Sequence, residues 1–160
     1  MTTPKPLSPS PLALEKHQFC EIRVTASKED DPQGAFSLRT SRKLAPHNED
    51  ALRFVLELGV EIGTSDPDDP APYEARLSIQ GFFKVNGSYP EGRVNELVEV
   101  TGASMLYGAC REMLISLTAR GPHGIVSLPS VSFIEPKEQP AKKKSATSKK
   151  KTATRRIAKK

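Results

Sequence analysis

A chain of 160 residues with 36% apolar and 27% charged side chains has the composition of one soluble globular domain, which argues against a second core. The net charge of +5 is unevenly divided, because residues 137–160 hold eleven Lys/Arg and one acid (net +10), which leaves −5 for residues 1–136. The apolar runs are short and broken by charge, which argues against a membrane span. The amino terminus has no long apolar region, which argues against a signal peptide. A cytoplasmic protein is therefore predicted.

Both ends of the chain are predicted to be disordered. Residues 1–17 form a leader rich in proline, serine and threonine. Residues 136–160 form a Lys-rich tail that repeats Lys-Lys-Lys and Ala-Thr, with too few apolar side chains to offset the entropy of ordering. The folded domain is therefore expected over residues 18–135.

Alternation of apolar and polar residues predicts four antiparallel strands in this domain, since neighbouring side chains of a strand point to opposite faces. Weak alternation marks residues 19–25 and 35–41 as the first two strands. The strongest cases are residues 52–62, where every even position is apolar, and residues 73–85. Turn-forming residues 64–70 join this pair as a long-looped hairpin.

A change of period from 2 to about 3.6 predicts two helices after the last strand. Residues 93–100 form a two-turn helix that Gly102 is expected to terminate, and residues 104–120 form a longer helix that stops at Gly121. The predicted fold class is α+β, with a four-stranded antiparallel sheet and a short and a long helix on one face.

The longer helix is predicted to be apolar on two sides. Tyr107 and Leu114 lie on the second of these sides. A four-stranded sheet can cover only one side of a helix, so the second side is expected to need another subunit or a ligand. The first side, predicted to face the sheet, consists of Leu106, Cys110, Met113 and Leu117.

The helical segment also carries a family pattern. Residues 94–121, VNELVEVTGASMLYGACREMLISLTARG, resemble the helical signature of the SecB family, in which a short helix leads to an aromatic-plus-Arg-Glu segment and a Ser/Thr-x-Arg-Gly ending. Residues 127–133, SLPSVSF, resemble that family's Leu-x-Pro-x-Asn-Phe close, with Ser132 in place of the usual Asn. Residues 80–85 and 20–26 are similar to its last and first strands.

This resemblance covers residues 19–133 and implies a function. SecB proteins are dimers of dimers in which helices of neighbouring subunits pack together. They hold unfolded preproteins in an export-competent form and pass them to the translocase motor ATPase. A holdase of this kind acts by mass action on the unfolded state, so neither ATP nor any other cofactor is expected.

The resemblance also implies a client site. In the family, client segments lie in apolar grooves between sheet and helices, and oligomerisation lets one client occupy several grooves. The candidates here are the apolar residues that alternation leaves off the main core face, namely Val55, Phe82, Met105, Tyr107 and Leu114. Burial in a subunit interface is the alternative for Tyr107 and Leu114.

Motor docking in the family uses acidic and apolar residues on the outer face of the sheet, notably on its first and last strands. Glu21 keeps an acid on the first strand and is the docking candidate, whereas Thr25 and Arg76 stand at the other two acidic positions. This departure leaves a second branch open, a SecB-like chaperone that guards the antitoxin of a toxin–antitoxin system.

The Lys-rich tail favours a different class, a nucleic-acid-associated protein. Its clustered bases resemble lysine-rich tails of linker-histone type, which bind phosphate by counterion release. The tail holds no aromatic side chain to stack on bases, so no sequence specificity is expected. The alternative is a solvated tail that keeps the oligomer soluble or contacts anionic surfaces. The candidates are Lys142, Lys143, Lys144, Lys149, Lys150, Lys151, Arg155 and Arg156.

The sequence argues against an enzyme. His17, His47 and His123 are isolated in the predicted leader or in loops, and no His/Cys/Asp group has metal-ligand spacing. The glycines form no phosphate-binding loop. Cys20 and Cys110 form neither a metal pair nor a disulfide framework, so two reduced, partly buried thiols are expected.

Overall fold

The computed structural model describes residues 7–134, in which a helical segment and an extended segment cover one face of a four-stranded antiparallel sheet. The predicted α+β class, a four-stranded antiparallel sheet with helical structure on one face, is confirmed. The strands are β1 (Leu12–Ala26), β2 (Phe36–Pro46), β3 (Arg53–Thr64) and β4 (Tyr73–Val85). The helical segment consists of a 3₁₀ turn (Glu91–Arg93), α1 (Val94–Leu97), a π turn (Val98–Gly102) and α2 (Ala103–Thr118).

The two central strands behave as their alternation predicts. The strand order is β1-β4-β3-β2, so β3 and β4 have a neighbour on each side. Even positions of β3 up to Ile62 and odd positions of β4 are buried under the helices, and the register sets Leu58 opposite Ile79 at the centre of this layer. A strict period of two with one buried face fixes the register, because a slip of one residue would expose the whole apolar row.

Strand β1 begins at Leu12, so residues 12–17 belong to the sheet and the prediction of a disordered leader is wrong for them. Register shifts at Glu15 and Cys20 mark two β-bulges in this strand. Each bulge adds one residue without a partner, so the apolar side chains that share a face fall out of period two. The alternation that would have predicted the full strand is therefore absent.

Strand β2 continues to Pro46, past the predicted end at residue 41. The second half contains Arg42, which faces the helical side of the sheet because it lies opposite Leu58 in the register. Its Nη1 donates to the carbonyl oxygens of Glu99 at 3.4 Å and Phe133 at 3.2 Å. These acceptors come from distant parts of the chain, so local alternation could not show that a cation is accommodated there.

The helical segment runs from α1 to α2 without a break, so the prediction that Gly102 terminates the first helix is wrong. Gly102 has helical angles, φ −61° and ψ −45°. A Cβ at this position would lie 3.1 Å from Phe83 and 3.3 Å from Leu56, and one at Gly81 of β4 would lie 2.7 Å from Leu106. The two glycines allow the helix to approach the sheet closely.

After α2 the chain turns back as an extended stretch, residues 125–134, which we call the covering segment. Its side chains Leu128 and Phe133 are buried. Val126 N donates to Thr118 Oγ1 at 3.0 Å, which fixes the start of the segment against the end of α2. The second apolar side of α2 is thus covered by the chain itself, not by another subunit or a ligand as expected.

Candidate functional site

Two of the five predicted client-binding residues belong to the core. Both Tyr107 and Leu114 are buried, and Leu114 is completely inaccessible. The Tyr107 hydroxyl donates to Pro129 O at 2.8 Å, and its ring meets that of Phe133 edge to face at 5.7 Å between centroids. Burial raises the pKa of this phenol, and the nearby positive charge of Arg111 opposes the rise. Neither side chain is open to a client, so these two predictions are wrong.

Val55 and Phe82 are neighbours, but on the face of the sheet away from the helices, which we call the outer face. The two residues are direct partners in the pairing of β3 with β4, and both are half-buried. The ammonium of Lys16 lies 5.9 Å from the centroid of the Phe82 ring. Val55 and Phe82 therefore cannot line a groove between sheet and helices. They form a separate apolar patch.

Met105 lies on the flank of α2 that the covering segment leaves open. Met113 and Leu117 continue the same flank at multiples of four residues, and Leu117 is 38% exposed. The sequence placed Met113 and Leu117 on the main core side. That assignment is wrong, because α2 turns Tyr107 and Leu114 toward the core instead and leaves these two at its margin.

The helix-facing side of β1 is also apolar and open. Within residues 7–134, β1 has a single neighbouring strand, β4. The other edge of β1 therefore presents unpaired backbone N–H and C=O groups. Phe19 and Val24 are half-buried, and Ile22 is 45% exposed. In the register Ile22 lies opposite the buried Leu77, which shows that it points to the helical side.

These two apolar rows border the same edge of the molecule. The covering segment occupies the flank of α2 nearer β2, where Phe133 contacts Arg42. Because β1 and β2 are opposite edges of the sheet, the open flank of α2 faces β1. We call the combined area the apolar edge surface. Ile22 and Leu117 are its exposed members, and the half-buried Phe19, Val24, Met105 and Met113 pack against the core beside them.

Comparison with solved structures identifies this architecture. The structure is similar to the SecB-like chaperone Rv1957 of Mycobacterium tuberculosis, solved in complex with a ChAD peptide from the HigA1 antitoxin, with a TM-score of 0.58 and 15% sequence identity over 76% of this chain and 88% of that one. The fold is SecB-like. A protein of unknown function from Streptococcus agalactiae is similar at a TM-score of 0.44 and 10% identity, over 74% of this chain and 97% of that one. No protein-family model and no curated protein matches the sequence.

The outer face of this SecB-like sheet holds the predicted docking residue. Glu21 is half-buried, and its carboxylate lies 3.6 Å from the guanidinium of Arg23. Arg76 on β4 pairs with Glu61 at 2.8 Å, and Thr25 is exposed near the end of β1. The single acid retained from the family pattern is therefore partly neutralised by its neighbour, and the other two acidic positions hold a base and a hydroxyl.

Other chemistry in the SecB-like domain is sparse. Across residues 7–134, His, Cys, Asp and Glu form no group of three that could hold a metal ion. That part of the chain also contains no helix long and apolar enough to cross a membrane. Cys20 is exposed, which corrects the expectation of a partly buried thiol, whereas Cys110 is buried. The tail candidates, residues 142–156, lie outside the described residues.

Proposed function

We propose that the protein is an ATP-independent holdase chaperone that binds unfolded or extended protein segments. The apolar edge surface carries this proposal, because exposed apolar side chains adjoin a strand edge with unpaired backbone groups. An extended client can add to such an edge by strand pairing while its own side chains contact the apolar residues. The solved SecB-like chaperone, which holds a peptide, supports the same class of activity.

Binding of this kind depends on the state of the client. An unfolded chain offers both free backbone groups and apolar side chains, whereas a folded protein offers few of either. A protein that binds only the unfolded state removes it from the pool that aggregates, and it does so by mass action without nucleotide hydrolysis.

We further propose that the protein assembles as a homotetramer, a dimer of dimers. The free edge of β1 and the open flank of α2 are surfaces through which copies could pair and pack. Several apolar edge surfaces in one assembly would let a long client bind at more than one point, and linked binding raises the overall affinity without new contacts.

Preprotein export is the first client route that we propose. The holdase would keep preproteins unfolded in the cytoplasm and deliver them to the preprotein translocase motor ATPase, with Glu21 as the docking residue. Replacing Glu21 by Lys should lower the affinity for the purified motor about tenfold, because the charge at the contact is reversed. Equal affinities of the Glu21→Lys variant and the wild type would remove Glu21 from motor docking.

Antitoxin guarding is the second route, and the charge of the outer face favours it. Thr25 and Arg76 stand where the export chaperones carry acids, so the expected motor contact is incomplete. The SecB-like chaperone of similar fold is bound to an antitoxin peptide. The holdase chemistry is the same in both routes, because an antitoxin segment is also an extended chain.

The test is the aggregation of a chemically denatured preprotein diluted into buffer with the full-length protein. Light scattering should be suppressed when chaperone and client are present in equal amounts. The double variant Ile22→Ser/Leu117→Ser should protect severalfold less, because it removes apolar contact area from the apolar edge surface. Phe82→Ser is the matched control, since it changes an apolar residue of the outer face.

Light scattering coupled to size-exclusion chromatography separates client binding from assembly. Weaker protection by an intact oligomer would assign Ile22 and Leu117 to the client. Dissociation of the oligomer would assign them to the subunit interface. A wild-type protein that leaves aggregation unchanged at a stoichiometric ratio contradicts the holdase proposal.

A further inference from the structure

The outer face of the sheet differs in charge from the body to which it belongs. Residues 1–136 carry a net charge of −5. The outer face nevertheless has more bases than acids, seven against five, so basic charge is concentrated on one side of an acidic body. Its bases are Lys16, Arg23, Arg39, Lys43, Arg53, Arg76 and Lys84, and its acids are Glu15, Glu21, Glu57, Glu61 and Glu74.

The lysines of this face have no carboxylate partner within residues 7–134. Arg23, Arg53 and Arg76 each form an ion pair with a glutamate of the same face. The ammonium groups of Lys16, Lys43 and Lys84 form none with the described acids. Arg39 of β2 forms none with those acids either, so the unpaired positive charge of the outer face lies on these three lysines and on Arg39.

The three lysines surround the apolar pair formed by Val55 and Phe82. Lys16 of β1 lies directly opposite Phe82, and Lys84 follows Phe82 by two residues on β4, so both point to the outer face. Lys43 of β2 lies diagonally across from Val55, because its direct partner is Glu57 of β3. An apolar centre with a charged rim is the arrangement in which a few residues dominate a protein interface. We call these five residues the Phe82 patch.

A concavity beside the Phe82 patch offers room for a side chain. Its volume is about 360 Å³, and its walls are formed by Val55 and the turn that follows β2. The lining residues besides Val55 are Pro46, the last residue of β2, and His47, Asn48 and Glu49 of the turn. Val55 and Pro46 are the apolar members of a lining that is otherwise polar, so the concavity offers a partner side chain apolar contact on the side of Val55.

We propose that the Phe82 patch docks an acidic segment of a partner protein, anchored by an apolar side chain. The anchor would contact Val55 and Phe82, and carboxylates on either side of it would pair with Lys16, Lys43 and Lys84. The lysines make such a contact selective for acidic partners, because they attract carboxylates. The apolar centre makes it selective for proteins, because it accepts an apolar side chain. Nucleic acid fits less well, because a sugar-phosphate backbone has no apolar side chain to occupy the centre.

This docking surface lies on the opposite face from the helices and does not depend on the holdase activity. The acidic docking positions of export chaperones suit a basic partner. The occupant proposed here is acidic instead. A partner could therefore bind here while a client occupies the apolar edge surface.

The test measures binding of a fluorescein-labelled peptide, Glu-Glu-Leu-Glu-Phe-Glu-Glu-Leu-Glu-Glu, to the full-length protein by fluorescence anisotropy. Lys84→Glu should weaken binding about tenfold, since it replaces an attraction at the patch by a repulsion. Phe82→Ser should weaken it severalfold. Lys28→Glu, an exposed change of equal charge in the loop after β1, should alter affinity less than twofold, and the Lys-rich tail is present in every variant.

Four results would overturn the proposal. Equal losses for Lys84→Glu and Lys28→Glu would assign the binding to overall charge or to the tail. Unchanged binding by Phe82→Ser would remove the apolar anchor. A single-stranded oligonucleotide that competes as well as the peptide would show recognition of polyanions rather than of an acidic protein segment. Loss of peptide binding in Ile22→Ser/Leu117→Ser would place the peptide on the client surface. Thermal unfolding of each variant checks that the fold is intact.

Discussion

Cys20 and Cys110 form no disulfide within residues 7–134, and the environments of their thiols differ. Cys20 lies at a bulge of the edge strand β1 and is exposed. Cys110 is buried between α2 and the sheet, and burial raises the pKa of its thiol to about 12. The folded state therefore holds the Cys110 proton at pH values where an unfolded thiol loses it.

This difference predicts a loss of stability in alkaline solution. Below about pH 8 the Cys110 thiol is protonated in both states and contributes no pH dependence. Above about pH 9 the unfolded chain releases the proton and the folded chain keeps it, so the free energy of unfolding should fall by up to about 1.4 kcal/mol per pH unit. Urea unfolding between pH 8 and pH 10.5 measures the slope, and Cys110→Ala should make it shallower. Equal slopes in the two proteins would contradict a raised pKa.

At the scale of the element, the contact between helix and sheet depends on glycine. Gly102→Ala should destabilise the protein by about 1–3 kcal/mol, because its Cβ would push against Phe83 and Leu56 in a closely packed layer. Gly108 lies on the exposed side of α2, where an added Cβ has no neighbour within 4 Å. Gly108→Ala should therefore stabilise by about 0.5–1 kcal/mol through helix propensity alone. Urea unfolding of both variants provides the comparison, and shifts of the same sign would contradict it.

Elements with an uninterrupted period were predictable from the sequence. Strand β4 has the predicted bounds and β3 nearly so, because each buries one face completely. Strand β1 was predicted only in its second half because the bulges at Glu15 and Cys20 shift the phase of alternation. The position of the covering segment over α2 could not be predicted from the sequence. Contacts such as that of Tyr107 with Pro129 hold this segment in place, and its residues show no periodic alternation of apolar and polar side chains.

The candidate site was less predictable than the fold, because it depends on which face each apolar residue occupies. Val55 and Phe82 were correctly placed off the core face, but only the strand pairing shows them to be adjacent and remote from the helices. Met105 was correctly placed off the core, whereas Tyr107 and Leu114 were not. The orientation of α2 depends on tertiary contacts, such as that of Tyr107 with Pro129, which have no signal in the local sequence.

At the scale of the whole molecule, charge separates the body from the Lys-rich tail. A chain ending at Pro136 retains all described core residues, the last of which is Phe133. Its unfolding free energy should match that of the full chain to within about 0.5 kcal/mol, while its net charge falls from +5 to −5. If the tail contacts phosphate, only the full chain should bind duplex DNA, and that affinity should fall steeply with salt. Filter binding across a salt series measures this. Equal binding by both chains, or none by either, would contradict the nucleic-acid role.

The two bulges of β1 also limit how long a strand can pair with the free edge of the sheet. Regular pairing along β1 is confined to three short stretches, residues 12–14, 16–19 and 21–26, separated by Glu15 and Cys20. A strand added to this edge therefore meets an interruption within a few residues, and the bend at each bulge turns the next stretch away. An edge of this kind can accept a strand but cannot propagate a long, flat ladder of copies. A molecule that exposes a strand edge with such interruptions is in this way protected from seeding fibres of its own.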